Sequence, residues 1–188
     1  YQGAIDDYGK AIEIDPEDFL AYYNRGNAKM NLSDYQAAIA DYSKAIEINP
    51  QHTDSYLNRG ITKSSLGDQQ GAIDDYGKAI EINPEDFLPY CNRGSCKYNI
   101  GDLEAAILDY TNALDIHPQY VPAYFWRSRA KQGLGDFQGS SDDLTTAIGI
   151  NPQYADAYKN RGDAKKELGD LKGACEDWKK ASELGDED

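Results

Sequence analysis

Five prolines, Pro16, Pro50, Pro84, Pro118 and Pro152, stand 34 residues apart, and only Pro89 and Pro122 fall outside the series. A fixed period of this length means one supersecondary unit repeated along the chain, each copy burying its apolar face on the next. With each proline placed at position 32 of a 34-residue unit, full units begin at Phe19, Thr53, Phe87, Val121 and Ala155, and residues 1–18 supply the second half of an earlier one. Other residues then fall into columns. Position 4 is Tyr (Tyr22, Tyr56, Tyr90, Tyr124, Tyr158), position 8 is Gly or Ser128, position 20 is Ala or Ser140, and position 27 is Ala throughout. Position 24 is large in all six copies: Tyr8, Tyr42, Tyr76, Tyr110, Leu144 and Trp178.

This period and pattern resembles the tetratricopeptide repeat (TPR), and the resemblance covers the whole chain. It implies an all-α, right-handed superhelical solenoid of antiparallel helix pairs, with helix A at about positions 2–14, helix B at about 18–31 and a concave groove lined by the A helices. Residues 1–18 are then the second helix of a truncated unit. Units follow at 19–52, 53–86, 87–120, 121–154 and 155–188 in one continuous solenoid domain. The columns have packing reasons of their own. Small residues at 8, 20 and 27 let helix backbones approach, and rings at 4 and 24 fill the space between them. Ala38, Tyr42 and Ala45 share one face of a 3.6-residue helix. Gly67, Gly101, Gly135 and Gly169 end helix A where φ > 0 is wanted, and the Asp after each caps helix B; the first unit has Ser33-Asp34 instead. Proline at position 32 stops helix B.

The two ends differ. The last helix is polar (Lys172, Glu176, Lys179, Lys180, Ser182, Glu183), with Asp186 where proline is due, as a capping helix should be. The first carries Ile5, Tyr8, Ile12 and Ile14 with no helix A of its own, so further chain or a second molecule is expected to cover it, and self-association through it is one route.

Composition narrows the function. The chain has 19 Lys plus Arg against 33 Asp plus Glu, a formal charge of −14, which argues against binding nucleic acid. No apolar run nears the ~18 residues of a membrane span, and Tyr1 opens on no basic stretch or apolar leader, so a cytoplasmic protein without membrane contact is expected. Cys91, Cys96 and Cys175 form no CxxC and have no His at ligand spacing, as free thiols in a reducing compartment would. No metal and no cofactor is expected. His52 and His117 sit in turns at different register positions, and the acid pairs Asp6-Asp7, Asp74-Asp75 and Asp142-Asp143 are helix neighbours that do not face each other. The chain is therefore not expected to be an enzyme.

Two columns depart from the family. Position 7, usually Leu, is Arg25, Arg59, Arg93, Arg127 and Arg161; position 11, usually Tyr, is Lys29, Lys63, Lys97, Lys131 and Lys165. An acid column at position 23 (Asp7, Asp41, Asp75, Asp109, Asp143, Asp177) matches them. The two readings are a structural ladder across the A/B contact and a cationic stripe for an anionic partner; under the first, Arg93→Leu changes stability more than binding.

In related repeats positions 2, 5, 6, 9, 12 and 13 line the groove. Position 6 reads Asn24, Asn58, Asn92, Trp126, Asn160, similar to the asparagine ladder of some TPR superhelices, whose amides grip an extended peptide backbone. Alternatively, these Asn tie their own helix to a neighbouring turn. Asn27, Tyr23, Leu57, Ile61, Tyr98, Phe125, Trp126 and Arg129 complete the candidate site, an aromatic and Arg composition typical of binding hot spots. Groove positions hold the acids Asp54, Asp156, Asp163 and Glu167 against the bases Arg129, Lys159 and Lys166, so the face is nearly neutral. The carboxylate-clamp positions read Tyr23, Asn27, Asn58, Leu88 and Asn92: both Asn and none of the three cations. The expected function is a protein–protein interaction scaffold or adaptor that holds a partner's peptide in the groove. The alternatives are a substrate-recruiting arm of a larger enzyme and a chaperone-tail-binding co-chaperone.

Overall fold

The computed structural model describes residues 1–185; Asp186, expected to stand in for the last proline, lies outside the described residues. Those residues form eleven α-helices and no strand, an all-α solenoid of antiparallel helix pairs. The chain divides into two compact units, Tyr1–Cys96 and Lys97–Asp188. The first holds α1 (Gln2–Ile14), α2 (Phe19–Asn31), α3 (Tyr35–Ile48), α4 (Thr53–Ser65), α5 (Gln69–Ile82) and most of α6 (Phe87–Asn99). The second holds the end of α6 with α7 (Leu103–Ile116), α8 (Val121–Gly133), α9 (Phe137–Ile150), α10 (Ala155–Glu167) and α11 (Leu171–Glu183). In each unit A and B helices of one repeat pack together, as α2 on α3 or α10 on α11, and B helices pack on the next A helix, as α3 on α4 or α9 on α10.

The helices run one residue ahead of expectation, A over positions 1–13 and B over 17–30, for local reasons. Asp at position 16 caps helix B from just outside it: Asp68, Asp136 and Asp170 accept the backbone N–H of Gly71, Gly139 and Gly173 at 2.8–2.9 Å. Where that third residue is alanine the bond lengthens, to 3.4 Å at Ala37 and 3.3 Å at Ala105. At the other end the residue before proline is driven into extended backbone, so Asn49, Asn83, His117 and Asn151 leave the helix at ψ 81–91°.

The A/B turn is left-handed in every repeat. Gly67, Gly101, Gly135 and Gly169 have φ of 81–86°, and Ser33 takes the same turn at φ 61°. A side chain in this region costs about 1–2 kcal/mol, partly offset because glycine loses more entropy on folding. Ser33→Gly is therefore expected to raise stability by about 0.5–1 kcal/mol, seen as a higher melting temperature by circular dichroism.

The core follows the small and large columns. Ala38, Ala45, Ala72, Ala79, Ala106, Ala113, Ala147 and Ala174 are fully buried, as are the rings of Tyr42 and Tyr110, with Leu144 in the same column. A Cβ added at Gly26 or Gly60 would lie 2.7 Å from the ring of Tyr42 or Tyr76, so glycine sets how closely helix A meets helix B. By contrast α1 buries none of its residues, and Ile14 is 86% exposed.

Candidate functional site

The position-7 and position-11 cations form a structural ladder. In the first unit Arg25 grips Asp41 through two guanidinium nitrogens at 2.9 and 2.7 Å while Lys29 reaches the same carboxylate at 2.7 Å. Arg59 and Lys63 hold Asp75 in the same way. In the second unit Asp143 and Asp177 are held by Arg127 with Lys131 and by Arg161 with Lys165, and Lys97 reaches Asp109 at 2.8 Å. The third nitrogen of Arg59, Arg127 and Arg161 donates to Ser43, Thr111 and Thr145 of the preceding B helix at 2.9, 3.0 and 3.2 Å, so one side chain ties three helices. Each position-7 guanidinium also lies 5.5–5.8 Å from the Tyr ring three residues before it. The position-4 rings thus back the arginines, a role their column alone did not reveal. With every such fork engaged on a carboxylate or ring, the cationic stripe is not a free surface.

On the A-helix face of the first unit, Asn27 is a hub. Its Oδ1 accepts from the Tyr42 hydroxyl at 2.8 Å and from Asn58 Nδ2 at 2.9 Å, and Asn58 Nδ2 also lies 3.1 Å from the Tyr23 hydroxyl. Tyr23 is held edge-on by His52 at 4.8 Å, and His52 meets Phe19 at 5.0 Å and bonds Ser55 through Nδ1 at 2.8 Å. Leu57 and Ile61 are half-buried on the cluster of Ala72, Tyr76 and Cys96. Burial pushes the Cys96 thiol up, despite its bond to Ser64. Asn24 and Asn92 are half-buried, and neither amide bonds another described residue.

In the second unit Tyr98, Trp126 and Arg129 gather. The two rings meet edge-on at 5.7 Å, and the Arg129 guanidinium lies 6.0 Å from Tyr98 and 5.4 Å from Trp126. Phe125, grouped with them by sequence, points the other way. It is 8% exposed, packed in the core with Leu144, Ala147, Ile148 and Ala157, and Tyr154 covers it at 5.3 Å. It supports Trp126 from beneath, at 5.6 Å, rather than offering surface. Asn160 turns back to the Asp156 carbonyl of its own helix at 2.8 Å, and Gln132 donates to the Asn160 carbonyl at 3.1 Å.

Sequence reasoning missed His52 and Tyr154. Both occupy position 34, where Asp18 caps α2, and both give up the side-chain cap to lay a ring on position 5 of their own repeat. The variation of that column between Asp and aromatic was the available signal. Among the described residues no three His, Cys, Asp or Glu side chains gather as metal ligands, and no helix is long and apolar enough to cross a membrane.

Tetratricopeptide repeat families match the sequence over residues 19–52, 42–74 and 89–120, and the related TPR repeat family matches 1–33 and 63–101. The chain belongs to the tetratricopeptide repeat family. Among solved structures this TPR chain is similar to MamA, at 25% identity over 90% of this chain and 92% of that one, with a TM-score of 0.85. It is also similar to YrrB, described as a TPR protein with an unusual peptide-binding site, at 21% identity, 96% and 93% coverage and a TM-score of 0.83. MamA of Desulfovibrio magneticus RS-1 aligns at 19% identity, 88% and 94% coverage and a TM-score of 0.83. The last two likenesses show the fold alone. A search of curated proteins gives no match. TPR proteins are generally non-enzymatic protein–protein interaction modules.

Proposed function

We propose that this TPR chain is a scaffold or adaptor that binds a peptide segment of a partner protein on its A-helix faces. The observation that carries it is the Tyr98, Trp126 and Arg129 cluster: two half-buried rings, Trp126 resting on the core, with an exposed arginine outside the ladder. Large rigid rings beside an arginine give contact area at little entropy cost. In the first unit Asn24 and Asn92 keep whole amides for a peptide backbone, whereas Asn58 has its N–H groups engaged on Tyr23 and Asn27 and offers a carbonyl oxygen. The grip on the backbone thus comes from two amides and one acceptor.

The test is selection of a random peptide library on the purified chain, followed by calorimetric titration of the selected peptides. Trp126→Ala is expected to weaken binding by about thirtyfold, the size of a hot spot of about 2 kcal/mol, with the helical circular dichroism signal retained. Selected peptides that bind Trp126→Ala and Asn24→Ala/Asn92→Ala as tightly as the parent would overturn the proposal.

A further inference from the structure

Five of the six arginines stand at position 7; Arg129, at position 9 of its repeat, is the exception. Arg127, two residues earlier on α8, has a Tyr ring at 5.6 Å and a carboxylate in its fork, Asp143 at 2.9 and 2.7 Å. Arg129 has the ring backing twice over, from Tyr98 and Trp126, yet is exposed and pairs with no carboxylate among the described residues. This occurs in a chain where acids outnumber bases 33 to 19. Neighbouring polar groups do not take up the fork: the Asn160 amide is turned to the Asp156 carbonyl and the Gln132 amide to the Asn160 carbonyl.

We infer that the A-helix face of the second unit selects an acidic side chain next to an apolar one: Arg129 pairs with the carboxylate, and Trp126 and Tyr98 hold the apolar neighbour. This rests on the peptide-binding role proposed above. A guanidinium already oriented by rings loses little freedom on pairing, and its planar fork matches a carboxylate bidentately. An apolar side chain laid on the same rings removes water from the pair and strengthens it. A single arginine fork fits one carboxylate. A chain end, as bound by a carboxylate clamp, would need Lys at position 2 and Arg at position 6 of the last repeat, which are Asp156 and Asn160. The occupant is therefore an internal Asp or Glu of an extended partner segment.

The experiment selects a random peptide library on the parent chain and on Arg129→Gln, then measures a double-mutant cycle by titration. Peptides selected on the parent are expected to carry Asp or Glu within two residues of a large apolar side chain. Arg129→Gln is expected to weaken such a peptide by about tenfold, and exchanging the peptide's Glu for Gln to weaken it equally. The two changes together should do no more than either alone. Arg129→Lys should keep part of the affinity, and added salt should narrow the gap between parent and Arg129→Gln. Since Arg129 lies outside the ladder and is exposed, an unchanged melting temperature verifies the fold. Peptides that need Trp126 but show no acid preference, or bind Arg129→Gln as well as the parent, overturn this inference and leave the peptide-binding role standing. Peptides indifferent to Trp126→Ala alone overturn this inference, and peptides indifferent to Asn24→Ala/Asn92→Ala as well overturn both.

Discussion

Asp75→Asn is expected to destabilise the first unit by about 3 kcal/mol, read as the shift in the midpoint of urea unfolding. The Asp75 side chain is 4% exposed and serves two cations at once, Arg59 at 2.6 and 2.9 Å and Lys63 at 2.8 Å, whose own side chains are mostly buried. Asparagine keeps the shape and removes the charge, so both cations stay in a low-dielectric contact with no counterion. Desolvation makes that far worse than losing a surface pair. The control is Glu81→Gln on α5, which breaks the Lys78–Glu81 pair at 2.7 Å between largely exposed side chains and should cost at most about 0.5 kcal/mol. Equal effects at the two sites would mean that the ladder contributes nothing beyond a surface pair.

Acid should act on the same device in the last repeat. Burial pushes the Asp177 carboxyl up, but hydrogen bonds from Arg161 and Lys165 outweigh it and hold the group below the usual carboxylate range. A carboxyl depressed in the folded state contributes stability that is fully present above its unfolded value of about 3.9 and is lost as pH falls through the folded value. Stability measured downward from pH 6 should therefore hold until about that value and then decline, less steeply in Asp177→Asn.

Column chemistry made much of this legible in the sequence, because a repeat shows the same contact several times. Arg at position 7 and Asp at position 23 lie sixteen residues apart in each repeat, and an acid that recurs at a fixed distance from a cation on the facing helix is placed to pair with it. Turn glycines and prolines fixed the helix ends to within one residue, the remainder being set by Asp caps and by the backbone strain ahead of proline. The binding face was less legible because it is where the columns break down. Asn24, Asn58 and Asn160 look equivalent, yet Asn58 is engaged by Tyr23 and Asn27 one repeat earlier, Asn160 by its own helix, and Asn24 by nothing described. Phe125 and Trp126 are adjacent groove candidates, but only Phe125 has Tyr154 above it. These fates depend on neighbours that differ from repeat to repeat, which a column average hides.

Gly60→Ala is expected to lower stability by about 1–2 kcal/mol, although alanine is the better helix former by up to about 1 kcal/mol. The added Cβ would lie 2.7 and 3.0 Å from two ring carbons of Tyr76, a side chain 2% exposed with no room to withdraw. Helix α4 would have to lift from α5, disturbing the nearby Arg59–Asp75 contact as well. Tyr76→Leu alone should cost about 2 kcal/mol through the space it leaves. The fourth full repeat carries both changes at once, for there Ser128 stands at the glycine position and Leu144 at the ring position, each fully buried. Combining Gly60→Ala with Tyr76→Leu should therefore cost less than the two changes summed, by about 1 kcal/mol or more. Additive losses would show that the ring does not set the distance between the helices. A favourable coupling would show that a ring paired with glycine and a leucine paired with a small side chain are two solutions for the same spacing. The fourth repeat could then change its core residues while its helices stayed in register to present Trp126 and Arg129.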